Sequence, residues 1–155
     1  MRTILFGCAL GAAALLGHVA AAQEVDDPGM RIYAVEGDFA DVRLDIESAI
    51  INRGLVIDHE SFVGEMLNRT AEDVGSERQV YTEADTFQFC SATVSRRMME
   101  ADPANLAYCP FVIFVYELAD AEGTVHVGYR RPPQNGALAE VDQFLDEIVR
   151  DAAGL

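Results

Sequence analysis

Hydrophobic positions along this chain recur with two periods, and the switches between them mark out its elements. Residues 32–35 read as a short strand. Phe39, Val42, Ile46, Ala49 and Ile50 then recur at helical spacing, with Asp38 placed to cap the start and Gly54 to stop the end. Over 55–60 the pattern alternates, which predicts a strand carrying His59 on the same face as Leu55 and Ile57. Ser61 can cap a second helix bearing Val63, Met66 and Leu67, and residues 71–85 are polar and irregular. Phe87 and Phe89 share one face of a strand over 86–90. A short helix over 93–101 carries Met98 and Met99, and Pro103 ends it.

Residues 111–116 are continuously apolar and rich in Val, Ile and aromatics, the pattern of a central strand buried on both faces. A five-residue connection leads to a return strand over 124–129, where His126 falls out of phase with Val125 and Val127 and is expected to face solvent. Leu138, Val141, Phe144, Leu145, Ile148 and Val149 form the stripe of a last helix. The predicted order is β-α-β-α-β-α-β-β-α. It describes one compact α+β domain, a mixed β-sheet packed by helices, in which helical connections permit parallel strand pairs and the last hairpin forces an antiparallel one.

The start of the chain adds a compartment. Arg2, an apolar run and the small residues Ala20-Ala21-Ala22 have the three parts of a secretory signal. Residues 1–22 are therefore expected to be a signal peptide, 23–29 a flexible lead-in, and 30–155 the single domain, placed in the periplasm or secreted. An anchor is disfavoured, because His18 and several glycines interrupt the run and acidic rather than basic residues follow it. No other segment is apolar enough to span a bilayer.

Charge narrows the partners. The formal net charge is −15 and every basic residue is an arginine. Such a chain is a poor binder of nucleic acid, whose phosphates need a positive footprint, and of anionic lipid. The absence of lysine excludes phosphate-loop NTPases, Schiff-base enzymes and pyridoxal-phosphate enzymes. Cys-x-x-Cys, Cys-x-x-Cys-His, His-Glu-x-x-His and Gly-x-Ser-x-Gly are also absent.

What remains is a pair of thiols. Cys90 ends one strand and Cys109 opens the next, so both lie near one rim if those strands are neighbours. In an oxidising compartment they read first as a disulfide closing a loop of about 20 residues, worth on the order of 3 kcal/mol. They also fit a reactive or metal-bound pair, since a thiolate is favoured near a helix start, or two buried free thiols. His59 is most simply a hydrogen-bonded boundary residue. Beside Cys90 and Cys109 it would complete a soft-metal or haem-edge site, with Met98 or Met99 as a thioether. A weaker enzymatic reading places an unfamiliar cleft around Tyr81, His59 and Arg130.

Cys90-Ser91-Ala92 opening a helix, Pro110 entering a strand, and that strand's end at Val115-Tyr116-Glu117 resemble the domain-of-unknown-function 302 family. Gly54-Leu55-Val56-Ile57 is similar to that family's glycine and apolar strand after the first helix. The resemblance spans residues 30–152. It departs at one point: the common form has its second cysteine just after the proline, at the position of Phe111, whereas here it precedes the proline as Cys109. A shift of two residues keeps the same strand face. The resemblance implies a compact, dimeric α+β fold and no established reaction. The first functional expectation is a non-enzymatic periplasmic accessory or binding domain, without a cofactor, that meets a partner protein or a small ligand and forms a homodimer. The alternative is a thiol-based redox or soft-metal/haem-handling protein using Cys90, Cys109 and His59.

Overall fold

The computed structural model describes residues 24–155, so the signal-peptide reading of residues 1–22 lies outside the described residues. The elements are β1 (Glu24–Asp27), β2 (Met30–Glu36), α1 (Phe39–Ile51), β3 (Ile57–Phe62), α2 (Val63–Thr70), β4 (Tyr81–Phe89), α3 (Ala92–Ala101), β5 (Phe111–Leu118), β6 (Thr124–Arg130) and α4 (Gly136–Ala152). Short 3-10 turns occupy Glu72–Val74 and Pro103–Tyr108. Local chemistry sets several boundaries. Asp38 caps α1 by accepting from the Ala40 N–H at 2.9 Å, and Ser91 caps α3 by accepting from the Val94 N–H at 3.3 Å. Beyond α1 the chain turns at Gly54, whose φ of 73° suits a residue without a Cβ.

The strands form one six-stranded sheet in the order β1-β2-β6-β5-β4-β3, with helices packed on it. The α+β architecture and the order of its elements follow the sequence pattern. The pairing does not include the parallel pairs that the helical connections permit: every neighbouring pair is antiparallel. The β4-to-β5 connection shows why. Cys90 leaves β4 and Cys109 enters β5 with Cα atoms 6.4 Å apart, so α3 and the 3-10 turn return the chain to the end of the sheet it left. Such a return reverses the strand direction.

Three further differences are local. The expected flexible lead-in contains a strand, β1, joined to β2 by a tight turn in which Asp27 accepts from the Gly29 N–H at 2.8 Å. Polar Glu24, Asp26 and Asp27 give no apolar alternation, and the strand is held instead by Arg31 and Arg131, which both pair with Asp26. β4 starts at Tyr81 rather than 86, because one of its inward positions is Asp85, paired with Arg43 of α1 at 2.8 Å. Finally, α2 begins after Phe62, not at a Ser61 cap, and Ser61 belongs to β3.

One face of the sheet carries the core. Tyr33, Phe87, Phe89, Ile113, Val115, Val125, Val127 and Tyr129 point from the strands toward Ile46 and Ile50 of α1, Met98 of α3, and Leu145 and Ile148 of α4. Each of these large side chains contributes about 1.5–3 kcal/mol by leaving water. At the edge of this layer α4 is stitched to the sheet through carboxylates. Asp146 accepts from the Tyr33 hydroxyl at 2.6 Å and pairs with Arg31, while Asp142 accepts from the Tyr129 hydroxyl at 3.0 Å and from Arg131 at 3.1 Å.

Candidate functional site

The sulfur atoms of Cys90 and Cys109 are bonded to each other, joining the start of α3 to the start of β5. The adjacency that brings them together is the β4–β5 pairing, with Phe89 opposite Phe111. The Ser95 hydroxyl lies 3.8 Å from the Cys109 sulfur, and Cys109 packs at the margin of the core. In this state neither cysteine offers a thiolate to a metal or a substrate.

His59 does not join them. A bulge in β3 between Ile57 and His59 shifts the register, so that Ile57 pairs with Phe89 but His59 pairs with Gln88. The extra residue moves His59 off the face of Ile57 and leaves it exposed, while Glu60 takes the inward position and binds Arg43. Met98 is fully buried in the core and Met99 packs against it, so both serve as filling. The residues proposed for a soft-metal or haem-edge centre therefore do not form a ligand set. Among the described residues, no group of three or more His, Cys, Asp or Glu side chains is placed to hold a metal ion.

The opposite face of the sheet is built differently. Ile32, Ala84, Thr86, Phe114 and Tyr116 alternate with core residues and so point away from α1, α3 and α4. Together with Met30, Val63 and Tyr81 they line a hollow of about 370 Å³. Two glycines shape it. Gly128 on β6 lies between Ile32 and Phe114, and a Cβ there would sit 2.6 Å from Phe114 Cζ. The missing side chain lets the Phe114 ring lie across the neighbouring strand. Gly64 at the start of α2 lets that helix press on the β4 backbone, where a Cβ would meet the Ala84 nitrogen at 2.7 Å.

Aromatic rings form a row across this face. Tyr116 stacks on His126 with centroids 4.7 Å apart and planes within 2° of parallel, meets Tyr81 edge-on at 5.4 Å, and stacks on Phe114 at 6.3 Å. His126 is consequently half-buried rather than solvent-facing as its phase implied, and its Nδ1 is buried without a hydrogen-bond partner. Burial pulls the His126 pKa below the usual imidazole range. Burial likewise raises the Tyr116 hydroxyl, with a smaller contribution from Tyr81. The central strand is thus sealed on its helix side only, because Phe114 and Tyr116 on the other side remain half-exposed. Of the residues in the expected enzymatic cleft, Tyr81 lines the hollow, whereas His59 and Arg130 are exposed and outside its lining.

Residues 32–154 match the family model described as "Domain of unknown function DUF302". The chain belongs to the DUF302 family. The resemblance carried by Cys90-Ser91-Ala92, Pro110 and Val115-Tyr116-Glu117 is borne out, and the DUF302 assignment brings no reaction with it. In fold, the chain is similar to the crystal structure of an uncharacterized conserved DUF302 protein from Bacillus stearothermophilus. The two are 14% identical, with a TM-score of 0.63 over 79% of this chain and 97% of the other. No curated protein matches the chain. Among the described residues, no helix is long and apolar enough to cross a membrane.

The aromatic row of this DUF302 chain is not marked by its hydrophobic periodicity, in which Phe114 and Tyr116 look like core positions. A signal for it was present in Gly128, an isolated glycine within an apolar strand, which marks a close approach of another group.

Proposed function

We propose that the chain is a non-enzymatic accessory domain of an exported compartment that takes up a small ligand in the hollow on the uncovered face of its sheet. The observation that carries this reading is the one-sided layering. Three helices seal one face, while the other keeps half-exposed Phe114 and Tyr116 beside a concavity of about 370 Å³, within the size range of small-molecule sites. The acidic side chains with the least exposure support a binding role rather than catalysis, since Asp85 is held by Arg43 and Asp142 by Arg131 as parts of the packing. Export rests on the pattern of residues 1–22 and agrees with a bonded Cys90–Cys109 pair.

A neutral solvatochromic dye such as Nile red tests the site. The expected result is saturable 1:1 binding with blue-shifted emission, weakened by Phe114→Ala and by Tyr116→Ala. Dye uptake that fails to saturate, or that both variants leave unchanged, overturns the reading. Sedimentation in parallel addresses the homodimer expected from the sequence: a stable dimer disrupted by Tyr116→Arg would make this face a self-association surface instead.

A further inference from the structure

We propose that the preferred occupant of this hollow is an organic monocation with an apolar body, of the tertiary or quaternary ammonium class. The inference rests on the binding reading above and adds the charge of the ligand.

Two observations decide the sign. The lining contains no arginine or histidine, and its one acidic residue, Asp85, turns its carboxylate to the helix side of the sheet, where Arg43 holds it. Arg130, which shares this face opposite Met30, lies outside the lining. The whole chain carries a formal charge of −15. An anion would therefore enter an apolar site with no counter-charge, against the field of the protein, and its desolvation would go uncompensated. A cation is drawn by that field instead of opposed by it, and the rings supply the attraction inside the hollow. Aromatic rings present negative charge at their faces, and Tyr81 and Phe114 line the concavity beside Tyr116, whose own ring is stacked on His126. Burial raises the Tyr116 hydroxyl and lowers the stacked His126 imidazole, which keeps both uncharged at neutral pH.

The body of the ligand follows from the rest of the lining. Ile32, Ala84, Val63 and Met30 offer aliphatic contact. A small inorganic cation keeps its water and gains nothing from such walls, and a strongly hydrated primary ammonium gains little. An alkylated ammonium, with its charge spread over methyl groups, satisfies both the rings and the aliphatic floor.

Choline and its neutral carbon isostere 3,3-dimethylbutan-1-ol isolate the charge at constant shape. Calorimetric titration of the chain purified from the exported fraction is expected to give choline at least about fivefold tighter binding than the isostere. Phe114→Leu and Tyr81→Leu, each checked for folding by circular dichroism, are expected to erase most of that preference while leaving the isostere's weak affinity in place. Equal affinities for the two probes overturn the cation inference, and saturable Nile red uptake at the same site would leave the binding reading standing. Choline binding that survives both aromatic substitutions and disappears in moderate salt also overturns it, because surface acids alone would then explain the attraction. Failure of all three probes overturns both.

Discussion

At Gly128 one hydrogen atom separates a usable sheet face from a blocked one. A methyl group there would press on the Phe114 ring and on the Arg31 carbonyl of the adjacent strand. Gly128→Ala is expected to lower unfolding free energy by about 1–3 kcal/mol in urea denaturation, the usual cost of overpacking. Asp142 works on the other face, where it ties the Tyr129 hydroxyl and Arg131 to α4. Asp142→Ala leaves the nearly buried Arg131 guanidinium with only the exposed Asp26 and the Tyr129 hydroxyl without its acceptor, and a loss of about 2–3 kcal/mol is expected in the same assay. His126 gives the residue scale a pH signature. Its folded pKa is depressed by burial, so as pH falls below about 6.5 the unfolded chain takes up the proton first and the folded state loses stability. The loss levels off once pH is below the folded pKa. Melting temperatures between pH 7.5 and 4.5 should therefore fall more steeply for the native chain than for His126→Phe, which keeps the ring stacked on Tyr116 without a titrating group. Parallel curves for the two would show that the imidazole is not withdrawn from water.

At the scale of elements, what was legible in the sequence depended on whether apolar residues defined the element. The stripe of α1, from Val42 to Ile50, and the stripe of α4, from Leu138 to Val149, end on the core as their spacing implies. The polar strand β1 and the first half of β4 were invisible to hydrophobic alternation, because ion pairs to Asp26 and Asp85 hold them in place. The bulge in β3 hid the true phase of His59, since one extra residue reverses every facing beyond it. The Cys90–Cys109 rim, by contrast, could be placed from the pattern alone, through two thiols at the ends of adjacent strands. Its contribution is that of a constraint on α3 and the turn that follows. The cysteines are 19 residues apart, and Cys90→Ala combined with Cys109→Ala is expected to lower stability by about 3 kcal/mol while leaving the β4–β5 register intact. Unchanged denaturation midpoints in oxidised and doubly substituted protein would show that the bond does not constrain the unfolded chain.

For the molecule as a whole, the same six strands serve two purposes on two faces. Antiparallel sheets tolerate an uncovered side, and here that side is aromatic where solvent exposure alone would favour polar residues. The apolar run of residues 111–116 predicts a strand covered on both sides. Phe114 and Tyr116 look like core residues in a one-dimensional pattern, and only the placement of the helices on the far face shows that they are not. Amide chemical-shift mapping during a choline titration tests this account most directly. The expected result is a saturable set of shifts confined to Ile32, Ala84, Thr86, Phe114, Tyr116 and their immediate neighbours, with α1 and α4 unmoved. Shifts scattered over the acidic helices, or gathered at the Cys90–Cys109 rim, would contradict it.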